Sequence, residues 1–176
     1  MKARVADLDS FIKEIIDYSR NARQEVRLEN FNLYELVEEV AEGLKFGNGM
    51  EKILIQYSIP QNLNVTTDRS RLKVVLNNLI GNALKYSNPR HDEPTVFVKA
   101  GVDDKNLRVQ IEDNGIGISD EHLPKIFEMF YRASEKSQGS GLGLYIVKET
   151  LDKLKGKIQV RSSHGHGSVF TVEVPV

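Results

Sequence analysis

The sequence contains no cysteine and no tryptophan. The missing thiols exclude a disulfide scaffold and any zinc or iron–sulfur site built on Cys ligands, and they fit a reducing compartment. Charge of one sign is not in excess either: 24 Lys and Arg stand against 25 Asp and Glu, a formal net charge of −1. A surface given over to nucleic acid or to an anionic membrane would leave a surplus of basic residues, so neither partner is expected to touch this chain directly. No apolar run approaches the ~20 residues of a membrane span, and the N-terminus lacks a signal-peptide pattern. Internal repeats and low-complexity segments are missing too. So are the P-loop pattern G-x-x-x-x-G-K-[ST] and the dinucleotide pattern G-x-G-x-x-G. A soluble, cytoplasmic location is the expectation.

What is there is ordinary globular material: 176 residues, 40% of them hydrophobic and 28% charged. A chain of this length buries roughly 70% of its unfolded surface, enough for a core without staples. From Lys2 to about Glu25 the pattern is helical, with Val5, Leu8, Ile12 and Ile15 at the spacing of a bundle seam and Phe11, Ile16 and Tyr18 widening the stripe. Such a seam needs a partner helix or the domain's own core.

From Leu28 the pattern turns to mixed α/β. Asn32 can cap a helix that buries Leu33, Leu36, Val37, Val40 and Ala41, runs to about Leu44 and stops at Gly47-Asn48-Gly49. Ile53, Ile55, Tyr57 and Ile59 alternate as a strand closed by Pro60, and Val65 marks a short second strand. A helix follows from Asp68 or Ser70 to Tyr86, then strands near Thr95–Val102 and Asn106–Glu112. Helices over Ser119–Phe130 and Gly141–Lys155 precede a hairpin of Lys157–Ser162 and Ser168–Val174. The expected fold is α+β: a two-layer sandwich of a mixed, mostly antiparallel sheet with helices on one face, preceded by an N-terminal helix.

Three stretches carry chemistry. On the helix Asp68–Tyr86, Asn78, Asn82 and Lys85 share one flank at i, i+4 and i+7, beside an apolar arc of Leu72, Val75, Leu76, Leu79, Ile80 and Ala83. A carboxamide oxygen can ligate Mg²⁺ and a Lys can neutralise phosphate. Read alone, this flank is equally the polar edge of an amphipathic helix. Glu112-Asp113-Asn114-Gly115-Ile116-Gly117-Ile118 ends a strand and offers a carboxylate next to two glycines. Asp, Asn and Gly also end many ordinary strands. Gly139-Ser140-Gly141-Leu142-Gly143-Leu144 opens a helix, whose exposed N–H groups favour an anion, and Lys136, Ser137 and Gln138 before it suit a mobile lid. A flexible glycine loop is the simpler alternative.

Taken in order, these segments resemble the ATP-binding catalytic domain of two-component sensor histidine kinases, within the wider group of topoisomerase, chaperone and mismatch-repair ATPases. Leu76–Ser87 resembles the family's asparagine box and Asp113–Ile118 its first glycine box; Ile126-Phe127-Glu128-Met129-Phe130-Tyr131-Arg132 resembles its phenylalanine box and Gly139–Leu144 its second glycine box. Ile15-Ile16-Asp17-Tyr18-Ser19-Arg20 is similar to the end of the second helix of the family's dimerisation hairpin. The expected domains are residues 1–27, part of that hairpin, and 28–176, the ATP-binding domain.

The resemblance implies ATP and Mg²⁺ as cofactors. Asn82 would hold Mg²⁺, with Asn78 and Lys85 reaching the phosphates and Tyr86 packing on the sugar and base. Asp113 would take the adenine amino group, with Gly115 and Gly117 giving the base room and Ile118 and Tyr131 completing the nucleotide site. Arg132 would approach the γ-phosphate, and Gly141, Leu142 and Gly143 would close over the triphosphate. The hydrolysing ATPases and serine-directed kinases of the group resemble one another in carrying a Glu four residues before the metal asparagine. Here that residue is Asn78, which cannot remove a proton, so transfer to histidine is favoured over hydrolysis. The implied partners are the histidine-bearing hairpin, a response regulator receiver domain and a second copy of the full-length protein. Of the four histidines, His91 fits the minimal acceptor pattern, but Pro89 and Pro94 oppose the helix an acceptor needs. The expectation is a fragment that does not phosphorylate itself. His164 and His166 read as a hairpin turn, not a metal pair.

Overall fold

The computed structural model describes residues 12, 15, 16, 19, 24–48, 52–88, 93–133 and 139–176. In chain order the elements are β1 (Glu29–Asn32), α1 (Leu33–Asn48), β2 (Leu54–Ser58), β3 (Asn64–Thr67), α2 (Arg69–Lys85), β4 (Thr95–Asp103), β5 (Asn106–Asp113), a 3-10 turn (Leu123–Lys125), α3 (Gly143–Lys153), β6 (Lys157–Ser162) and β7 (Ser168–Pro175).

β2, β4, β5, β7 and β6 hydrogen-bond in that order, β2 parallel to β4 and every other pair antiparallel. Side chains alternate across the sheet, and one face is buried: Val96, Val98 and Ala100 on β4, Leu107, Val109 and Ile111 on β5, Phe170, Val172 and Val174 on β7. The three helices cover that face, with α2 packed between α1 and α3. This is the expected α+β sandwich. A separate two-stranded ribbon, β1 against β3, leads into α1 and was not anticipated.

α1 and α2 start where side-chain acceptors satisfy their first amides. Asn32 Oδ1 accepts from Glu35 N at 3.1 Å, and Asp68 Oδ1 from Arg71 N at 2.9 Å. The predicted apolar stripes are the buried ones: Leu33, Leu36, Val37, Val40 and Ala41 on α1, and Leu72, Val75, Leu76, Leu79, Ile80 and Ala83 on α2.

Several boundaries differ from expectation, and α1 runs past Leu44 to Asn48, into the predicted Gly47-Asn48-Gly49 stop. Residues 119–130 form turns rather than a helix, joined by bonds such as His122 N to Ser119 O, Lys125 N to His122 O and Glu128 N to Lys125 O. Pro124 stands inside this segment, and Phe130 closes it in the left-handed region at φ 63°. Ile126 is still buried, with Leu123 and Phe127 packed on the core, so the apolar spacing reports burial without an α-helix. The last helix opens at Gly143, not Gly141, because Gly141 sits at φ 78°.

Residues 12, 15, 16 and 19 of the predicted N-terminal helix are helical, with Ile12, Ile15 and Ile16 exposed. Val5, Leu8, Phe11, Tyr18, His91 and the predicted lid residues Lys136, Ser137 and Gln138 lie outside the described residues. No helix among the described residues is long and apolar enough to cross a membrane.

Candidate nucleotide site

Between α2, the loop after β5 and the start of α3 lies a cavity of about 520 Å³. Its floor is the polar flank of α2: Asn78, Asn82, Lys85 and the C-cap Tyr86 all border it. Asn78 Nδ2 donates to Val74 O at 2.8 Å. That bond turns Asn78 Oδ1 toward α3, where a Cβ on Gly143 would fall 2.7 Å from it. Lys85 Nζ stands 4.9 Å from the centre of the Tyr86 ring, a cation over an aromatic face.

At the other end is Asp113. It continues the inward row of Leu107, Val109 and Ile111, so the pleat delivers a carboxylate to the helix side of the sheet. Burial pushes its carboxyl up to about 6, against the opposing pull of the Gly115 and Ser168 amides; the Glu112 charge adds to the rise. Gly115 N donates to Asp113 Oδ1 at 2.9 Å, and Ile116 N to Tyr86 O at 3.0 Å. The β6–β7 turn locks onto this loop through Gly165 N to Ile116 O at 2.7 Å and Ile118 N to Ser162 Oγ at 2.8 Å.

The third wall is the turn Tyr131-Arg132-Ala133 together with Gly139, Ser140, Gly141 and Gly143. A Cβ on Gly141 would fall 2.8 Å from the Phe130 carbonyl carbon, so only glycine lets the two loops approach.

Residues 67–176 match the family described as histidine kinase-, DNA gyrase B-, and HSP90-like ATPase. The chain belongs to that family. Within it, the chain is similar to sensor histidine kinases. It is 32% identical over 178 residues to the autoinducer 2 sensor kinase/phosphatase LuxQ of Vibrio harveyi, covering 94% of this chain and 20% of that protein. It is 36% identical over 126 residues to the signal transduction histidine-protein kinase BaeS of Escherichia coli strain K12, covering 69% of this chain and 26% of that one. The chain thus spans about a fifth to a quarter of the length of these relatives. Among solved structures, the catalytic domain of the histidine kinase ThkA superposes with a TM-score of 0.72 at 30% identity, covering 85% of this chain and 95% of that one. Full-length ShkA in complex with AMPPNP gives 0.79 at 26% identity, covering 96% of this chain and 35% of that one.

As a member of this ATPase family, the chain gathers eleven of its thirteen anticipated site residues on one cavity: Asn78, Asn82, Lys85, Tyr86, Asp113, Gly117, Ile118, Tyr131, Arg132, Gly141 and Gly143. Two are elsewhere. Gly115 packs against the Tyr86 carbonyl and the Asp113 carboxylate, where a side chain has no space. Leu142, at 3% exposure, caps α3 from inside the protein and does not line the cavity. Gly117 borders the cavity, yet its φ of 65° and its approach to the Ser163 carbonyl are what demand glycine.

Sequence reasoning missed other lining residues. Ser168 and Phe170 follow from the β5–β7 register, which sets Asp113 opposite Ser168 and Ile111 opposite Phe170. Ser140 lies within the second glycine box, and its Oγ accepts from Leu142 N at 3.0 Å. Glu121, His122 and His164 also border the cavity, and no spacing in the sequence announces them.

Proposed function

We propose that this chain binds Mg·ATP in the cavity and donates the γ-phosphoryl group to a histidine on a dimerisation helix, for onward transfer to a response regulator receiver domain. One observation carries the reading: a single cavity joins a buried carboxylate, Asp113, to Asn78, Asn82, Lys85 and Arg132. The donor set fits the nucleotide at both ends. Asp113 can accept from an exocyclic amino group beside the apolar Ile116, Ile118 and Phe170, while two carboxamides, two cations and the open first turn of α3 suit a polyphosphate with its metal. ATP supplies the reactive phosphoryl group.

The residues position and neutralise; they do not attack. Asn82 would hold Mg²⁺ through its carboxamide oxygen, and Lys85 and Arg132 would offset phosphate charge. Asn78 is neutral and carries no proton-accepting base, which suits an imidazole nucleophile with a lone pair ready and does not suit water or an aliphatic hydroxyl. Among the described residues no histidine sits on an α-helix: His122 lies in a turn, His164 and His166 in the β6–β7 connection. With His91 set between Pro89 and Pro94, the acceptor is read as belonging to another segment of the whole protein. Residues 1–27 are read as part of the dimerisation hairpin, and the whole protein as a homodimer.

The test is calorimetry with Mg·ATP and Mg·GTP, followed by incubation with γ-labelled ATP. ATP binding at least tenfold tighter than GTP is expected, with no label on the chain alone and acid-labile label on an added histidine-bearing hairpin. Equal affinity for the two nucleotides would overturn the site assignment. Acid-labile label lost in a His91→Ala variant would make His91 the acceptor.

A further inference from the structure

The cavity wall holds a hydrogen bond, with a carboxylate beside it, that the proposed roles leave unused. His122 Nδ1 lies 2.8 Å from the Tyr131 hydroxyl, and His122 Nε2 lies 3.3 Å from the Glu121 carboxylate. The rings of His122 and Tyr131 are 6.1 Å apart and tilted by 58°. Resting on the phosphoryl-transfer reading above, we propose that His122 is a positioning residue: by holding the Tyr131 hydroxyl it fixes the turn from which Arg132 enters the phosphate end of the cavity.

The backbone around this pair is held on both sides. His122 N donates to Ser119 O at 3.0 Å and His122 O accepts from Lys125 N at 2.9 Å, so the imidazole stands on an anchored turn. Tyr131 N donates to Glu128 O at 3.2 Å, and Phe130 before it is in the left-handed region, a conformation that persists only when its surroundings hold it. Gly141 presses on the backbone of Phe130 and Tyr131 from the opposite loop. The Tyr131 side chain adds one more tie, and His122 receives it.

In the neutral imidazole, a proton on Nε2, the nitrogen 3.3 Å from the Glu121 carboxylate, leaves Nδ1 to accept from the Tyr131 hydroxyl. This direction makes the pair testable by isosteres. An Asn side chain puts an acceptor oxygen near the Nδ1 position, whereas Gln reaches toward Nε2.

The experiment is calorimetry on the whole chain with Mg·ATP and Mg·ADP, using thermal melting to compare folding. Arg132→Ala serves as the reference, because a γ-phosphate contact shows as a preference for ATP over ADP. His122→Ala and Tyr131→Phe should each reduce that preference by about three- to tenfold, the range of one lost hydrogen bond, with ADP affinity held within about twofold. The double variant should lose no more than either single one, and His122→Asn should recover most of the preference where His122→Gln does not. Additive losses, equal losses on ATP and ADP, or an Asn variant as poor as Ala would each overturn the proposal. If the unmodified chain shows no preference for ATP that Arg132→Ala removes, the phosphoryl-transfer reading falls, and this role for His122 falls with it. If that preference exists and the His122 variants keep it, only the positioning role is lost.

Discussion

Asp68 and Arg71 form an ion pair at the head of α2, at 2% and 5% exposure. Asp68 also accepts from Arg27 N at 3.0 Å, and the guanidinium donates to Gln24 O at 2.5 Å and Glu25 O at 3.2 Å. Two charges thus staple the strand-free segment 24–27 to the helix whose other end carries Asn78, Asn82 and Lys85.

Breaking this pair from one side should cost more than replacing it. Asp68→Ala removes a cap and strands a buried guanidinium, a loss of about 3–5 kcal/mol. Asp68→Ala with Arg71→Met should be the milder change, and denaturant melts of both variants will order them. Burial alone would raise the Asp68 carboxyl; the Arg27 and Arg71 amides and the Arg71 guanidinium overcome it and hold the group below its ordinary value. The depressed value means that its stabilisation is present above the ordinary carboxylate range, about pH 4, and is lost as pH falls through the lower folded value. The gap between the unmodified chain and Asp68→Asn should therefore close below about pH 4. A gap unchanged down to pH 3 would refute the linkage.

Asp113 should behave in the opposite sense. Its carboxyl stands at about 6, above its unfolded value, so the nucleotide-free domain gains stability from it below about pH 4 and loses that gain as pH rises through 6. At pH 7 the buried charge is a liability of up to about 3 kcal/mol. Asp113→Asn should raise the melting temperature at pH 7, leave it unchanged at pH 4, and weaken ATP by about tenfold or more. In the unmodified chain ATP affinity should fall below pH 6, because the protonated carboxyl no longer offers the charged acceptor an adenine amino group needs. Melts at pH 4 and 7 and calorimetry at pH 5, 6 and 7 check both arms. Parallel trends in stability and affinity would sink the assignment.

These contrasts show which parts of the molecule the sequence discloses. The stripes of α1 and α2 were legible because every apolar position at helical spacing is buried, from Leu33 to Ala41 and from Leu72 to Ala83. The boxes were legible because the C-terminal end of α2, the end of the central strand β5 and the start of α3 meet at one end of the sheet, drawing distant segments onto one cavity. The turn at 119–130 was not: Leu123, Ile126 and Phe127 repeat at helical intervals, yet Pro124 and i→i−3 bonds make turns that bury the same side chains. Nor was the approach of Gly115 to the Tyr86 carbonyl and the Asp113 carboxylate, because a glycine's neighbours cannot be read from its own position. The bond between His122 and Tyr131 spans nine residues of irregular chain, and no period encodes it.

The contact between Gly143 and Asn78 yields the remaining test. Gly143 is the first residue of α3, where alanine is ordinarily the better helix former, so its absence of a side chain needs a reason. A Cβ there would stand 2.7 Å from Asn78 Oδ1, and Asn78 cannot simply withdraw, since its Nδ2 is tied to Val74 O at 2.8 Å. Gly143→Ala should thus push the Asn78 carboxamide off Val74 O, a loss of about 1 kcal/mol that alanine's better helix propensity partly offsets in the nucleotide-free domain. It should nevertheless weaken Mg·ATP by about tenfold while sparing adenosine, because the carboxamide it displaces faces the phosphate end. Asn78→Ala should weaken Mg·ATP as well, and adding Gly143→Ala to it should cost little more, the clash having lost its partner. Calorimetry with Mg·ATP and with adenosine on the two single variants and the double variant separates the cases. Equal losses for both ligands would show that the glycine serves the loop and not the phosphates.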